Sequence, residues 1–242
     1  MIALLCSVQA EADLLFTAAS IVKTTTLGSK SIVEGTLKGR RMLLCVGGMG
    51  KVNAAHAATL LAQFKPEAFI IFGVGGAYPA SEARIGDVAL AKEEIAGDEG
   101  VLTLDGFKDT EYIGIPLLKT STSVIYTTYP ATAPLFKQAL KTLMSSRDPA
   151  APDVHVGPFV TLSTCTGTAA RALELEDRYH GLCENMEGAA VAQVAELHGI
   201  PWLEVRGISN MVENRNLRNW DIPTAAHAAQ QAVLRIVEEW DA

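Results

Sequence analysis

Short apolar runs alternate with segments of helical periodicity along most of this chain, and this order limits its possible folds more than any other feature. The predicted strands are residues 2–8, 32–37, 41–47, 68–74, 85–91, 154–162 and 202–208. The predicted helices are residues 11–19, 51–64, 133–146, 168–178, 188–198 and 224–240. Strands that alternate with helices form a mostly parallel sheet with helices on both faces, so we expect an α/β fold.

The connections between these elements favour one domain. Residues 38–40 contain a glycine between two strands and predict a hairpin. Residues 92–129 show no regular pattern, and a loop of that length usually carries function or covers a site. Residues 145–152 are polar and contain proline, but the alternation continues beyond them. We therefore expect a single domain over residues 1–242.

Charge and apolar patterning exclude several partners. The chain has 20 Lys and Arg against 27 Asp and Glu, a formal net charge of -7, which argues against a nucleic-acid partner. Its longest apolar runs are shorter than the roughly 20 residues that span a bilayer, and its first residues lack the basic start of a signal peptide. Its four cysteines form no CxxC pair. We expect no membrane association and a location in the reducing cytoplasm.

Four familiar motifs can be rejected. GGMGKV at residues 47–52 lacks the glycine spacing of a phosphate-binding loop, and Val52 stands where Ser or Thr would hold magnesium. GVGGAY at residues 73–78 lacks the last glycine of the dinucleotide-binding fingerprint. The five histidines form no HExxH pattern, and no GxSxG segment occurs. We expect no metal, no cofactor and no serine-hydrolase chemistry.

One set of polar residues meets at the carboxyl ends of the predicted strands, where ligands bind in parallel sheets. Glu11 follows the first strand, Glu187 begins a helix, and Arg206 and Asn210 end the last strand. Each of these residues could instead have a purely structural role. Glu187 could do no more than cap its helix, and Arg206 could do no more than form a buried ion pair. The glycines at 73, 75 and 76 fit either a tight strand-to-helix turn or the close approach of a ligand.

Four segments together resemble the nucleoside phosphorylase/hydrolase superfamily over essentially the whole chain. They are SVQAEADLL from residue 7, GGMGKVNAA from residue 47, FGVGGAY with the following IGDVALA, and ENMEGAAVAQVAELHGIPWLEVRGISN from residue 184. The last segment is long and specific. The resemblance implies a central mixed sheet, partly curled into a barrel, with flanking helices and an active site at the strand ends.

The resemblance also implies roles for individual residues. Glu11 would position and activate the attacking water, and Arg206 would order that water and Glu11. Met186 and Glu187 would contact the ribose. Asn210 would face the base as the third catalytic residue. The other expected substrate contacts are Met49, Gly75, Thr166, Arg215 and Trp220.

Asn210 departs from the adenosine-type nucleosidases of this superfamily, which carry Asp at the matching position. An amide cannot protonate N7 of a leaving adenine, but its NH₂ can donate to O6 or N7 of a 6-oxopurine, or to both. The form GISN, followed by Val212, Arg215 and Trp220, resembles the futalosine hydrolase branch. The substrate of that branch is an inosine derivative with a carboxylated aromatic tail at the 5′ position.

Two further departures concern phosphate and the base. Val74 stands in the glycine-rich corner where the phosphorylases carry Ser or Thr, which favours water as the nucleophile. The segment STCTGT from residue 163 lacks the aromatic residue that stacks on the base in the nucleosidases.

Residues outside the base pocket are predicted to hold the 5′ tail. Met49, Tyr78 and Trp220 are its candidate walls. Arg215 or Arg218 could pair with its carboxylate, or both could lie in a solvated loop. Relatives form dimers in which a neighbour completes this slot, so we expect a homodimer or a higher homo-oligomer.

The resulting expectation is an N-glycosyl hydrolase that releases hypoxanthine and dehypoxanthine futalosine from futalosine, in the alternative route to menaquinone. A methylthioadenosine/S-adenosylhomocysteine nucleosidase and a purine nucleoside phosphorylase are alternatives within the superfamily. A non-catalytic nucleoside-binding protein is an alternative of another class.

Overall fold

The computed structural model describes residues 1–121, 123–145 and 151–240. The strands are β1 (Ile2–Cys6), β2 (Ser20–Leu27), β3 (Lys30–Leu37), β4 (Arg40–Val46), β5 (Ala68–Ala77), β6 (Val88–Ala96), β7 (Gly100–Thr103), β8 (Gly106–Asp109), β9 (Leu118–Lys119), β10 (Val124–Ile125), β11 (Thr128–Pro130), β12 (Val154–Thr161), β13 (Cys183–Asn185) and β14 (Trp202–Met211). The α-helices are α1 (Asp13–Ala18), α2 (Lys51–Ala62), α3 (Thr110–Ile113), α4 (Ala133–Met144), α5 (Ala169–Tyr179), α6 (Gly188–His198) and α7 (Ile222–Glu238).

Five strands of the main sheet close into a barrel. Strand β5 pairs with β14 and β13, β12 pairs with β13 and β6, and β6 pairs back to β14. Strands β1, β4, β3 and β2 extend the sheet beyond β5 in that order. Parallel and antiparallel pairs both occur. The expected mixed sheet with a barrel is therefore confirmed, whereas the mostly parallel sheet inferred from alternation alone is wrong.

Helices cover both faces of this sheet. Helices α1, α4 and α7 pack on one face against apolar residues such as Leu4, Ile70 and Val205. Helices α2 and α6 pack on the other face against residues such as Ala3 and Phe69. Nine of the ten residues of β14 are buried, since this strand is shared by the barrel and both helical layers. The α/β fold class is confirmed.

Local signals explain where several elements begin and end. The β3–β4 hairpin turns through Lys38 and Gly39, with φ of 50° and 77°, as a tight hairpin requires. Asp221 accepts a hydrogen bond from the Thr224 N–H at the start of α7. Gly199, with φ of 63°, ends α6. In the described ranges, no helix combines the length and the hydropathy needed to cross a membrane.

Most predicted helices are confirmed to within two residues, but several other predictions are wrong. Residues 92–129 are not irregular, because β6 continues through Ala96 and short strands and a helical turn follow. No sequence pattern indicated β2, which is almost fully exposed, or β13, which has three residues. The helix predicted from residue 11 is divided into a 3₁₀ turn at Gln9–Glu11 and α1. Residue 146 and most of the connection at 145–152 lie outside the described residues.

Candidate active site

The carboxyl ends of β1, β5 and β14, which are parallel neighbours, open onto one cleft. The cleft is lined by Ser7, Val8, Glu11, Met49, Val74, Gly75, Gly76, Cys165, Glu184, Asn185, Met186, Glu187, Arg206, Ser209, Asn210 and Trp220. Eight of the ten predicted site residues are among these. The other two, Thr166 and Arg215, lie against residues that line the cleft.

Three backbone N–H groups hold the carboxylate of Glu11, which is only 3% exposed. Its Oε2 accepts hydrogen bonds from Ser7 at 2.9 Å and Val8 at 3.1 Å, and its Oε1 accepts one from Val74 at 2.8 Å. Because Ser7 and Val8 follow β1 and Val74 lies in β5, two neighbouring strands fix this side chain.

Gly73 makes room for the side chains of Glu11 and Arg206. A Cβ atom there would lie 2.5 Å from Glu11 Oε1 and 2.9 Å from Arg206 Nη1. Gly73, Gly75 and Gly76 all lie within β5, so the tight strand-to-helix turn considered for them does not occur. The groups that closely approach Gly73 are the protein's own side chains, those of Glu11 and Arg206.

Glu187 is the residue at the N-terminal end of helix α6, but its side chain does not cap the helix, because its Oε1 accepts a hydrogen bond from the Gly50 N–H at 2.8 Å. Asn185 performs that capping role instead. Its Oδ1 accepts hydrogen bonds from the N–H groups of Glu187 at 2.9 Å and Gly188 at 2.7 Å. The Glu187 carboxylate therefore faces the cleft between the Gly50 loop and Arg206.

Arg206 forms the buried ion pair considered from the sequence and also reaches the cleft. Its Nε donates to Glu204 Oε1 at 2.7 Å, and its Nη1 donates to the Val74 carbonyl at 3.2 Å. The same Nη1 lies 3.5 Å from Glu187 Oε2. Burial alone would lower the pKa of Arg206, but Glu204, Glu187 and Glu11 together raise it above its ordinary value. The guanidinium thus stays charged beside the carboxylates of Glu11 and Glu187.

Asn210 holds its amide in one orientation at a bulge in β14. Its Oδ1 accepts a hydrogen bond from the Ser209 hydroxyl at 2.8 Å, and its Nδ2 donates to the Met211 carbonyl at 3.0 Å. An amide nitrogen carries two hydrogens, so one N–H remains available to a ligand.

Glu184 is a second polar group at this end of the cleft. Its Oε1 accepts a hydrogen bond from the Thr166 N–H at 2.8 Å, and its Oε2 accepts from the Thr166 hydroxyl and from Tyr78 Oη at 3.3 Å. Burial raises the pKa of Glu184, against the effect of these donors. Thr166, predicted as a substrate contact, thus supports Glu184 from behind the cleft wall. Tyr78, predicted as a tail wall, is fully buried behind Glu184.

Trp220 and Met49 line the outer end of the cleft, with Met49 63% exposed. The guanidinium of Arg215 lies over the Trp220 ring, 4.7 Å from its centroid, and its Nη1 lies 3.1 Å from Cys165 Sγ. Arg215 therefore stands at the rim and not in the wall. Arg218 is exposed and does not line the cleft.

A pair of fully buried carboxyl groups, Glu94 and Glu204, lies beneath the cleft. Glu94 accepts hydrogen bonds from Thr161 at 2.7 Å and from Asn185 at 2.6 Å. Burial and then the neighbouring Glu204 raise the pKa of Glu94 well above its ordinary value. The described residues contain no group of three or more His, Cys, Asp or Glu side chains placed to hold a metal ion.

Comparison with known proteins agrees with this architecture. The sequence profile of the phosphorylase superfamily matches residues 1–239. The chain belongs to this superfamily. Two similar proteins are futalosine hydrolases: that of Streptomyces coelicolor is 36% identical over 69% of this chain and 65% of its own length, and that of Thermus thermophilus is 30% identical over 84% of each chain.

The nucleosidase branch that acts on adenine nucleosides is similarly close. The 5′-methylthioadenosine/S-adenosylhomocysteine nucleosidase of Maridesulfovibrio salexigens is 30% identical over 87% of this chain and 86% of its own length. The crystal structure of the Neisseria meningitidis nucleosidase, in complex with methylthio-immucillin-A, superposes with a TM-score of 0.85 over 99% of each chain at 23% identity. These relatives place the chain among the nucleosidases of the superfamily, which are N-glycosyl hydrolases.

Sequence reasoning missed two residues of the site. Glu184 stands in the segment ENMEGAA that carries part of the resemblance, yet only the pairing of β13 with β5 shows that it faces the cleft. Glu204 lies two residues before Arg206 in β14, and this alternate spacing on a strand could have indicated a partner for the guanidinium.

Proposed function

We propose that this protein hydrolyses the N-glycosidic bond of futalosine and releases hypoxanthine. The observation that carries this proposal is Asn210, an oriented amide with a free N–H, in the same cleft as Glu11, Glu187 and Arg206. In the adenosine-type nucleosidases, the matching position carries Asp, which resembles a general acid that protonates the leaving base. An amide instead suits a base that presents acceptors and leaves without full protonation.

Glu11 and Arg206 are suited to direct a water at C1′ of the ribose. Cleavage of such a bond builds positive charge on the sugar, as in glycoside hydrolysis. Fixing the nucleophile removes the entropic cost of bringing it into line. With three backbone donors on its carboxylate, Glu11 has little freedom to move, and it can accept a proton from the water as the water attacks.

Glu187 is suited to hold the ribose. Its Oε1 has one backbone donor and its Oε2 faces Arg206, so lone pairs remain for the sugar hydroxyls. Met186 lines the cleft immediately before it and would contact the sugar ring.

Asn210 would stabilise the departing base. Electrons flow from the broken bond into the purine, and its O6 and N7 gain negative charge. A donor aimed at developing charge typically contributes about 10²–10³ in rate. Hypoxanthine is also a better leaving group than adenine, so a hydrogen bond can suffice where adenine requires a proton.

The outer end of the cleft suits an aromatic tail with a carboxylate. Trp220 and Met49 give it apolar walls, and the Arg215 guanidinium at the rim can pair with an anion. Val74 lines the cleft with an apolar side chain, while its N–H and carbonyl are occupied by Glu11 and Arg206. It offers no hydrogen bond to phosphate, which supports water as the nucleophile.

The test compares three nucleosides in phosphate-free buffer: futalosine, inosine and methylthioadenosine. Free base is followed by chromatography. We expect hypoxanthine from futalosine at the highest kcat/KM, with inosine slower because it lacks the tail. Release of adenine from methylthioadenosine as the preferred reaction would contradict the proposal.

Three alternatives are less well supported. The methylthioadenosine/S-adenosylhomocysteine nucleosidase activity agrees with the sequence and fold comparisons, but the amide of Asn210 cannot transfer a proton to a leaving adenine. Val74 argues against a purine nucleoside phosphorylase. A non-catalytic nucleoside-binding protein would have no use for a carboxylate fixed as rigidly as that of Glu11.

We also propose a homodimer or a higher homo-oligomer. An apolar groove between α2 and α6 includes Val52 and Leu197, which are 86% and 62% exposed. Met49 precedes α2 and lines the cleft, so a second copy on this groove would lie beside the 5′ tail. Analytical ultracentrifugation at micromolar concentrations should give at least twice the monomer mass, and a monomer throughout would contradict this.

We propose that this reaction is a step in the alternative route to menaquinone. We also propose that it takes place in the cytoplasm. The free thiols of the four cysteines suit a reducing compartment. Cells that lose the gene should accumulate futalosine, as mass spectrometry can show, and unchanged futalosine would contradict this assignment.

A further inference from the structure

Asp98 lies just beyond the carboxyl end of β6 and binds residues from two other segments of the site. Its Oδ2 accepts a hydrogen bond from the Ser163 N–H at 2.6 Å, and its Oδ1 accepts one from Lys51 Nζ. Strands β6 and β12 are parallel neighbours with Ala96 opposite Thr161, so Asp98 and Ser163 stand at equivalent positions beyond their strands. One carboxylate thus joins the segment after β12 to the first residue of α2.

Lys51 occupies a position that the helix itself disfavours. The dipole of α2 opposes a cation in the first turn, yet Nζ of Lys51 binds Asp98 and also Glu99 Oε1 at 2.9 Å. Burial alone would lower the pKa of Lys51, but the two carboxylates raise it above its ordinary value. Burial alone would raise the pKa of Asp98, but Lys51 and Ser163 lower it below its ordinary value. Both groups therefore stay charged at neutral pH.

The segment before Lys51 carries a contact of the proposed ribose site. Residues 47–50 connect β4 to α2 through Gly48 and Gly50, with φ of 94° and 89°, which favour glycine. The Gly50 N–H binds Glu187. A connection with several glycines has little stiffness of its own. The position of the Gly50 N–H therefore depends on the ion pair that holds the next residue, Lys51.

The segment after β12 carries another part of the cleft wall. Residues 162–168 connect β12 to α5 without a helix or strand. Cys165 in this segment lines the cleft, and the Thr166 N–H binds Glu184 at 2.8 Å. Asp98 holds the end of the segment that is nearest to β12. Carboxylates from elsewhere in the chain thus take the place of regular secondary structure here.

We propose that Asp98 is a positioning residue that joins residues 47–51 to residues 162–168 and so sets the geometry of the cleft. Asp98 itself is not part of the cleft lining. Both segments are, and the scissile bond must stay in line with the water at Glu11 while the ribose is held at Glu187. A displacement of about 1 Å by a distant change can cost about 10²-fold in rate. This inference rests on the proposed function.

Kinetics of substitutions at Asp98 tests this role. Asp98→Ala removes both hydrogen bonds, and Asp98→Asn keeps the size of the side chain but turns an NH₂ toward the Ser163 N–H or toward Lys51. We expect both to lower kcat by about 10–10²-fold, with KM changed by less than about threefold, because alignment acts mainly in the transition state. Asp98→Glu retains the charge and both acceptor oxygens and should recover most of the lost kcat. A role in filling space would instead be kept by Asp98→Asn and lost in Asp98→Glu, which would overturn the proposal.

A double-variant cycle tests whether Asp98 acts through Lys51. Lys51→Met should lower kcat by about tenfold. The double variant with Asp98→Ala should be no slower than Asp98→Ala alone, since the shared contact is already lost. Glu99→Gln is the matched control, because Glu99 lies with Lys51 along the groove between α2 and α6 but has no bond to Ser163. It should keep wild-type kcat, whereas losses that multiply in the double variant would overturn the proposal.

The choice of substrate and a stability measurement separate the possible failures. All rates are measured with whichever of futalosine and methylthioadenosine the wild type cleaves faster. Preference for methylthioadenosine would overturn the proposed function and leave the test of Asp98 intact. Urea denaturation gives the folded fraction of each variant. Wild-type kcat in Asp98→Ala, or a loss that only follows the unfolded fraction, would overturn the role of Asp98 while leaving the proposed function intact.

Discussion

At the residue scale, the cleft carboxylates of Glu11 and Glu187 are held in different ways. Glu11 has three backbone donors from two strands, whereas Glu187 has one donor and a guanidinium beside it. A rigid carboxylate suits a group that directs water, and an open one suits a group that binds a sugar. The difference predicts separate kinetic effects of the two substitutions.

Glu11→Gln should lower kcat by at least about 10²-fold, because an amide NH₂ would face at least one of the three backbone N–H donors and cannot take up a proton. Glu187→Gln should lower kcat/KM by a similar factor, with a larger share in KM, because it weakens ribose binding. Steady-state kinetics on futalosine measures both. Glu238→Gln, exposed and far from the cleft, is the control, and normal turnover by Glu11→Gln would refute the assigned role.

The buried pair of Glu94 and Glu204 makes stability depend on pH. Unfolded, Glu94 releases its proton near its ordinary pKa of 4.5, whereas the folded protein retains it to a higher pH. Above about pH 4.5, the free energy of unfolding therefore falls as pH rises, by up to about 1.4 kcal/mol per pH unit, until the folded pKa is passed. Glu94→Gln has no such proton.

Urea denaturation of Glu94→Gln and the wild type at several pH values tests this directly. The stability of the variant relative to the wild type should increase with pH above about 4.5. Because the titrating groups outside this buried pair are common to both proteins, the difference isolates the pair that Glu94 forms with Glu204. A difference that stays constant or decreases with pH would show that Glu94 is ionised in the folded protein.

At the element scale, strand β14 and helix α7 approach each other closely at one glycine. A Cβ atom at Gly207 would overlap the backbone carbonyl of Ala225 and lie 3.0 Å from its Cα. Gly207 stands next to Arg206 and three residues before Asn210, so the docking of α7 fixes the strand that carries both.

Gly207→Ala should therefore lower the free energy of unfolding by about 1–3 kcal/mol or more, since backbone cannot move aside easily. It should also lower kcat by displacing Arg206. Gly167→Ala is the matched control, because its Cβ would meet only Arg215 Cβ at 3.9 Å. Urea denaturation and futalosine turnover measure both effects, and a fully stable, active Gly207→Ala would contradict the proposed docking.

Elements with strong periodicity could be predicted from the sequence, and those without it could not. Helix α6 is found at its predicted bounds because its apolar spacing and terminal Gly199 agree. Strand β2 is exposed along almost its whole length, so no buried face leaves a pattern in SIVKTTTL. The closure of the barrel through β13 depends on three residues and became an expectation only through the family resemblance.

At the scale of the whole molecule, the site is assembled from segments that are far apart in sequence. Glu11, Glu187, Arg206 and Asn210 could be assigned to one rim because each lies at the beginning or the end of a recognisable element. Glu184 could not, because its place depends on the register of β13 against β5. The hydrogen bonds from Thr166 to Glu184 could not be predicted from the sequence either, because they join two segments that no local pattern connects.

We interpret Glu11, Arg206 and Val74 together as a site where water is the nucleophile. Identifying the nucleophile tests this interpretation. Futalosine would be turned over with and without a roughly 50-fold molar excess of phosphate, at substrate concentrations on the order of the usual KM range, and the sugar product identified by mass spectrometry. We expect the free sugar in both cases at the same rate. A rate that requires phosphate, with a sugar 1-phosphate as the product, would contradict it.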